Sequence, residues 1–233
     1  MKYLGESFDI HTGGIDHIPV HHTNEIAQSE AATGKPFVNY WVHNEFLLTK
    51  DEKMAKSTEN FLTLSSLVEK GYSPFAYRYF VLNTHYRKPL SFNWDALTAA
   101  QKAYDALLGR IRMMPEPSAE KGAEENESRF FKAVNDDLNI PKALGIMWEM
   151  LKSDIPETAK HTTIKHFDAI LGLGFADVHP LAIPDSVRTL VVEREAARSA
   201  KDFSKADELR SQIQNEGFTV DDTEAGSVIR EAG

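Results

Sequence analysis

Apolar positions along this chain follow two rhythms, short strand-like runs near the N-terminus and spacings of three and four residues farther on. Residues 7 to 12, holding Phe8, Ile10 and His11, predict a buried strand that runs into a loop at Gly13 and Gly14. From His21 the pattern becomes helical, with Ile26 and Ala27 among its apolar members, and it ends near Ala32 with Gly34 placed as a left-handed cap. Phe37 to Leu48 is rich in aromatic and β-branched residues and predicts one or two largely buried strands.

Lys50 to Asn60 is polar and without period, and reads as an exposed loop. Beyond it, end signals predict helices one by one. Thr63 offers an N-cap to a helix through Glu69 that Gly71 stops; Ser73-Pro74 opens the next; Asn93 caps a longer one from Trp94 to about Met113. Pro115 to Glu127, with two prolines, a glycine and six charged side chains, predicts a linker. Helices are expected at about 128 to 136, 141 to 153 and 161 to 171, then a second linker from Phe175 to Pro184. A helix pair at 184 to 200 and 203 to 216, with Gly217 as the stop, precedes a small hairpin at Phe218 to Asp221 and Ser227 to Arg230. The fold class expected is therefore α/β first and then mostly α.

Composition narrows the chemistry. The 233 residues, 42% of them hydrophobic, can build a packed core, and no stretch approaches the roughly eighteen consecutive apolar residues of a membrane span, so the chain reads as cytosolic. Cysteine is absent, which excludes disulfides and any zinc site built from the chain's own thiolates. A formal net charge of −9 opposes bulk attraction to phosphates, so nucleic-acid binding requires local basic patches.

His21 and Glu25 lie four apart at a helix start and project from one face, as two metal ligands on one helix must. Alone, such a pair is more often solvated than metal-bound, because a structural zinc needs about four ligands. Lys53 and Lys56 flank Met54-Ala55 in the polar loop, and an isolated pair of lysines is usually a solvated charge run. Arg194, Arg198 and Lys201, at i, i+4 and i+7, outline a basic stripe. Residues 184 to 233 nevertheless carry seven basic against eleven acidic side chains, so charge alone gives poor support for RNA binding there.

The ordered series changes that weighting. FDIHTGGIDHIPVHHTNEIAQSEA is followed by NYWVHN, Lys53-Met54-Ala55-Lys56-Ser57, RYFVLNTHYRKPLSF (78 to 92), DDLNIPKAL (136 to 144), LGL (171 to 173) and EREAARSAKDFSKADELR (193 to 210). In this order and spacing it closely resembles the cysteine–tRNA ligase family of class I synthetases over nearly the whole chain. The resemblance implies the C-terminal part of a Rossmann-like catalytic domain at 1 to 50, a signature-loop and stem-contact connector at 51 to 92, a helical bundle at 93 to 175, and a small α/β anticodon-binding module at 183 to 233.

It also implies roles. His21 and Glu25 correspond to two of four zinc ligands, the other two being cysteines this chain does not have, so the Zn2+ site is expected to be incomplete and weak. His11, Asp16 and Trp41 fall at amino-acid pocket positions, whereas His17, His22 and His43 are expected to be structural or surface groups, with Trp41 to Asn44 as alternative lining of the same cleft. Lys53 and Lys56 match the catalytic signature loop, with Ala55 replacing a serine and Lys56 as the nucleotide contact, where ammonium groups offset charge on the phosphates of ATP with Mg2+. Arg194, Arg198 and Lys201 would face the tRNA for cysteine. The partners implied are that tRNA, ATP, cysteine and a missing N-terminal half carrying a His-Ile-Gly-His type motif, without which the chain is expected to be inactive alone. The competing reading is a non-catalytic tRNA-binding module derived from a synthetase.

Overall fold

A computed structural model of the chain describes residues 2–49, 63–117, 122–179, 182–223 and 226–231. The Lys53 and Lys56 loop lies outside the described residues. The chain divides into two compact units, Met1–Tyr104 with Ser128–Glu149, and Asp105–Glu127 with Met150–Gly233. Three helices cross the division: α4 (Trp94–Arg112), α5 (Glu124–Val134) and α6 (Ile140–Lys152). Among the described residues no helix is long and apolar enough to cross a membrane.

The first unit opens with a β-α-β element. Strand β1 (Phe8–Gly14) pairs in parallel with β2 (Val38–Asn44), from Phe8 opposite Val38 to Gly14 opposite Asn44. Between them run a 3-10 turn (Ile15–His17), a π turn (Ile18–His22) and α1 (Thr23–Thr33), ended by Gly34 at φ 70°. The strands are less buried than their composition predicts, Ile10 being 60% and Tyr40 68% exposed. Only two strands form this sheet among the described residues, and the face of Ile10, Thr12 and Tyr40 remains open.

A second parallel pair, β3 (Leu47–Thr49) with β4 (Leu90–Phe92), is too short to leave an alternating pattern, and β4 was not expected. The helices begin where the local chemistry dictates. Thr63 and Ser66 form a reciprocal capping box at the start of α2 (Leu64–Glu69). Ser73 Oγ accepts from Phe75 N–H at the start of α3 (Pro74–Leu82), and Asn93 Oδ1 accepts from Ala96 N–H at 2.8 Å at the start of α4. Ala76, Tyr79, Phe80, Phe92 and Leu97 are buried, and the Trp148 indole donates to Tyr79 Oη at 3.0 Å.

The turn joining α5 to α6 contains two residues at positive φ, Asp137 at 55° and Leu138 at 53°. Aspartate tolerates this region better than leucine does. The Asp137 carboxylate accepts from Arg87 Nε at 2.6 Å and Nη2 at 3.0 Å and from Tyr86 Oη at 2.5 Å. Those bonds, Arg87 foremost, hold its carboxyl down to about 2.

In the second unit, α7 (Glu157–Leu171) starts four residues before the expected position, directly after Pro156. Lys160, though buried, is satisfied there: its ammonium donates to Leu151 O, Ser153 O and Glu157 Oε1. Helix α5 is also longer than expected, because Glu124, Glu125 and Glu127 in its first turn suit the positive end of the helix dipole. The chain directly after α7, up to the start of the second expected linker, is packed. Asp168 accepts from Leu173 N–H and Ala176 N–H, folding the chain over so that Phe175 is fully buried. Helices α8 (Asp185–Ser199) and α9 (Phe203–Asn215) and the antiparallel hairpin β5 (Phe218–Thr223) and β6 (Gly226–Glu231) complete the unit. Ile183, Val187, Val191, Ile213, Phe218, Val220 and Ile229 form their core.

Candidate functional site

Side chains two apart on a strand share a face, so His11 and Gly13 of β1 lie on one side of the sheet with their register partners Trp41 and His43 of β2. His22 packs over that face. Its ring lies 4.7 Å from His11, 4.8 Å from Trp41 and 5.0 Å from His17, centroid to centroid, and its Nδ1 is 2.8 Å from His43 Nε2. Glycine at 13 makes this approach possible. A Cβ there would stand 2.6 Å from His22 Cε1 and 2.7 Å from His17 Nδ1.

Glu25 closes the cluster from α1. Its Oε2 is 2.8 Å from His11 Nε2 and 4.0 Å from His22 Nε2, and its Oε1 is 3.5 Å from His21 Nε2. Consecutive helical residues point about 100° apart, so His22 turns inward while the His21 side chain stays 62% exposed. One atom each from His11, His22 and Glu25 lie within 4.8 Å of one another.

Two members of the cluster are shifted toward the forms that bind a metal. The hydrogen bond from His11 lowers the Glu25 carboxyl below its ordinary 4.5, and burial, followed by the nearby His11 and His43 rings, lowers His22 below 6.5. Neutral imidazole and carboxylate are the forms a metal takes. Two imidazoles and one carboxylate are also a known three-ligand zinc set that keeps a fourth position open. His17 Nδ1, enclosed beside the cluster, has no hydrogen-bond partner among the described residues. On these grounds the residues fit a zinc-like ion.

Of the residues expected from sequence, His11, Trp41 and Glu25 come together and His21 stands at the rim. Asp16 is exposed in the 3-10 turn, its carboxylate folded back so that a Cβ on Gly14 would lie within 2.4 Å of it. Lys53 and Lys56 are outside the described residues. His43 lines the cluster, as expected for Trp41 to Asn44, and so does His22, expected to be a structural or surface group; the spacing of three between His22 and Glu25 was the signal that could have indicated its place. In the C-terminal part, Arg198 and Lys201 are exposed, but Arg194 is 2% exposed and Lys201 lies beyond α8 at φ 60°. Among the described residues no continuous basic stripe is displayed there.

Residues 1–102 match the sequence model of the family described as tRNA synthetases class I (C) catalytic domain. Over those residues the chain is similar to class I aminoacyl-tRNA synthetases. Among its synthetase relatives, cysteine–tRNA ligase 1 of Burkholderia lata is 44% identical over 228 residues, covering 97% of this chain and 48% of that protein. The cysteine–tRNA ligase of Treponema denticola is 38% identical over 256 residues, covering 95% and 52%. That of Legionella pneumophila is 39% identical over 246 residues, covering 99% and 52%. The chain spans about half the length of the curated relatives it matches. A solved Mycobacterium tuberculosis methionyl-tRNA synthetase in complex with methionyl-adenylate is similar at 19% identity and a TM-score of 0.48, covering 70% of this chain and 35% of that one. The histidine cluster lies within the matched synthetase residues; α5 to α9 are reached by the pairwise similarities alone.

Proposed function

We propose that this chain serves the ATP-dependent activation of cysteine and its transfer to the tRNA for cysteine, in the cytoplasm. The observation that carries the reading is the Glu25 carboxylate held among imidazoles at the sheet's end, in a chain whose relatives are cysteine–tRNA ligases. Glu25 with His11 and His22 is the three-ligand donor set for Zn2+, leaving a fourth position open, and His21 stands at its rim. When bound, that ion would supply a soft centre that prefers a thiolate over a hydroxyl. Trp41 and His11 wall the amino-acid side of the pocket, and Asp16 receives the substrate ammonium. Lys53 and Lys56 neutralise phosphate charge on ATP with Mg2+, Lys56 being the nucleotide contact. Arg198 and Lys201 face RNA; Arg194, buried on the same face as Val187 and Val191, acts through packing. Residues 1 to 50, 51 to 92, 93 to 175 and 183 to 233 are the catalytic, connector, bundle and anticodon-binding segments of this reading.

The test is metal retention in the presence of amino acid. Zinc titration of the purified chain is expected to give weak binding that cysteine strengthens and serine leaves unchanged; equal strengthening by serine overturns the assignment of substrate. No His-Ile-Gly-His string occurs in the 233 residues, and cysteine-dependent pyrophosphate exchange by this chain alone is expected at background.

A further inference from the structure

We propose that a groove between α5 and α6, remote in sequence from the histidine cluster, docks the phosphodiester backbone of RNA; this rests on the tRNA reading above. The groove has a volume of about 600 Å³ and is lined by Arg129, Lys132, Lys142, Gly145, Ile146 and Glu149. Helical spacing builds it: Arg129 and Lys132 are three apart on α5, while Lys142, Gly145, Ile146 and Glu149 follow at intervals of three, four and seven on α6.

Three cations meet one carboxylate there, in a chain whose formal net charge is −9. That carboxylate is already engaged. Glu149 accepts from Arg129 Nη1 at 2.9 Å and Nη2 at 2.7 Å, which orients the guanidinium, and the pairing lowers the Glu149 carboxyl. Lys132 and Lys142 are exposed and make no ion pair among the described residues, so their charge is available to a ligand. Gly145 leaves the α6 wall bare: a Cβ added there meets nothing within 4 Å. A sugar-phosphate chain can approach that backbone closely.

The ligand class follows from how the charge is presented. No fully buried polar side chain grips a single anion, and exposed lysines bind an isolated phosphate weakly. Several such contacts add up only along a polyanion, whose counterions are released as each phosphate is neutralised.

The test uses the full chain and a fluorescently labelled tRNA transcript, with anisotropy measured across 50 to 200 mM salt as a range of order suited to such contacts. Replacing both lysines, Lys132→Gln with Lys142→Gln, is expected to weaken binding about tenfold and to lower the slope of log affinity against log salt by about two. Glu149→Gln, which removes the competing carboxylate, is expected to tighten binding. Gly145→Leu fills the wall while raising helix propensity, so weaker binding with an unchanged or higher melting temperature supports close backbone approach. If the wild-type chain binds tRNA and the double-lysine variant matches it in affinity and slope, the groove assignment is overturned and the tRNA reading stands. Absence of any tRNA binding by the wild-type chain overturns both. Binding of inorganic polyphosphate that tRNA does not displace overturns RNA as the occupant.

Discussion

Residues 2–49 and the segment from α7 to Phe175 are ordered by opposite means. Among residues 2–49 a single side chain is buried, and it is a histidine, His22. From Lys160 to Phe175, Ile164, Phe167, Leu171, Leu173 and Phe175 are all almost wholly enclosed. The helical segment is held by apolar area removed from water. The N-terminal segment is held by a strand ladder, aromatic edges and a knot of imidazoles around one carboxylate, interactions that polar solvent and protons can weaken. Where the chemistry is concentrated, the core is thin.

Truncating the apolar side should produce the largest effect. Phe167→Ala is expected to cost about 3–5 kcal/mol in urea unfolding, against within about 0.5 kcal/mol for Ile10→Ala on the open sheet face. Equal costs at the two sites would erase the contrast. Next in size is Gly13→Ala, whose methyl displaces His22 and His17; zinc affinity measured by competitive chelation should fall about 10–100-fold, as when a group that orients a metal ligand is lost. Global unfolding should change far less than with Phe167→Ala. An undiminished zinc affinity would mean that His22 is not held where the metal binds.

The smallest effect expected is on pH dependence in metal-free protein. His22 and Glu25 both titrate lower when folded, so the unfolded chain takes up more protons, and their stabilisation is lost as pH falls. For His22 the loss begins near its ordinary 6.5, and for Glu25 it follows below 4.5. Amide exchange should therefore quicken in β1 and β2 on acidification through that window while α7 stays protected. Uniform quickening in both would remove the distinction.

What could be read in advance divides along the same line. Helix starts at Thr63, Ser73 and Asn93 and the glycine stops at 34, 71 and 217 were legible because caps act within three or four residues. The pairing of β3 with β4 was not, since its partners lie some forty residues apart and each strand has only three residues. The burial of Arg194 was written in the spacing but outweighed by its charge, for it continues the Val187 and Val191 face at i+7 and i+3. At the site, the i, i+4 relation of His21 and Glu25 was visible. Bringing His11, His22, Trp41 and His43 into one cluster required the parallel register of β1 against β2, which no local rule supplies.

Among the described residues the donor atoms gathered around Glu25 are all nitrogen and oxygen, and the 233 residues contain no cysteine. Cobalt placed in such a nest would lack the near-ultraviolet sulfur-to-metal absorption that thiolate ligation produces. If that band emerged on adding an amino acid, it would originate from the guest molecule, and the optical background against which it is read would be blank.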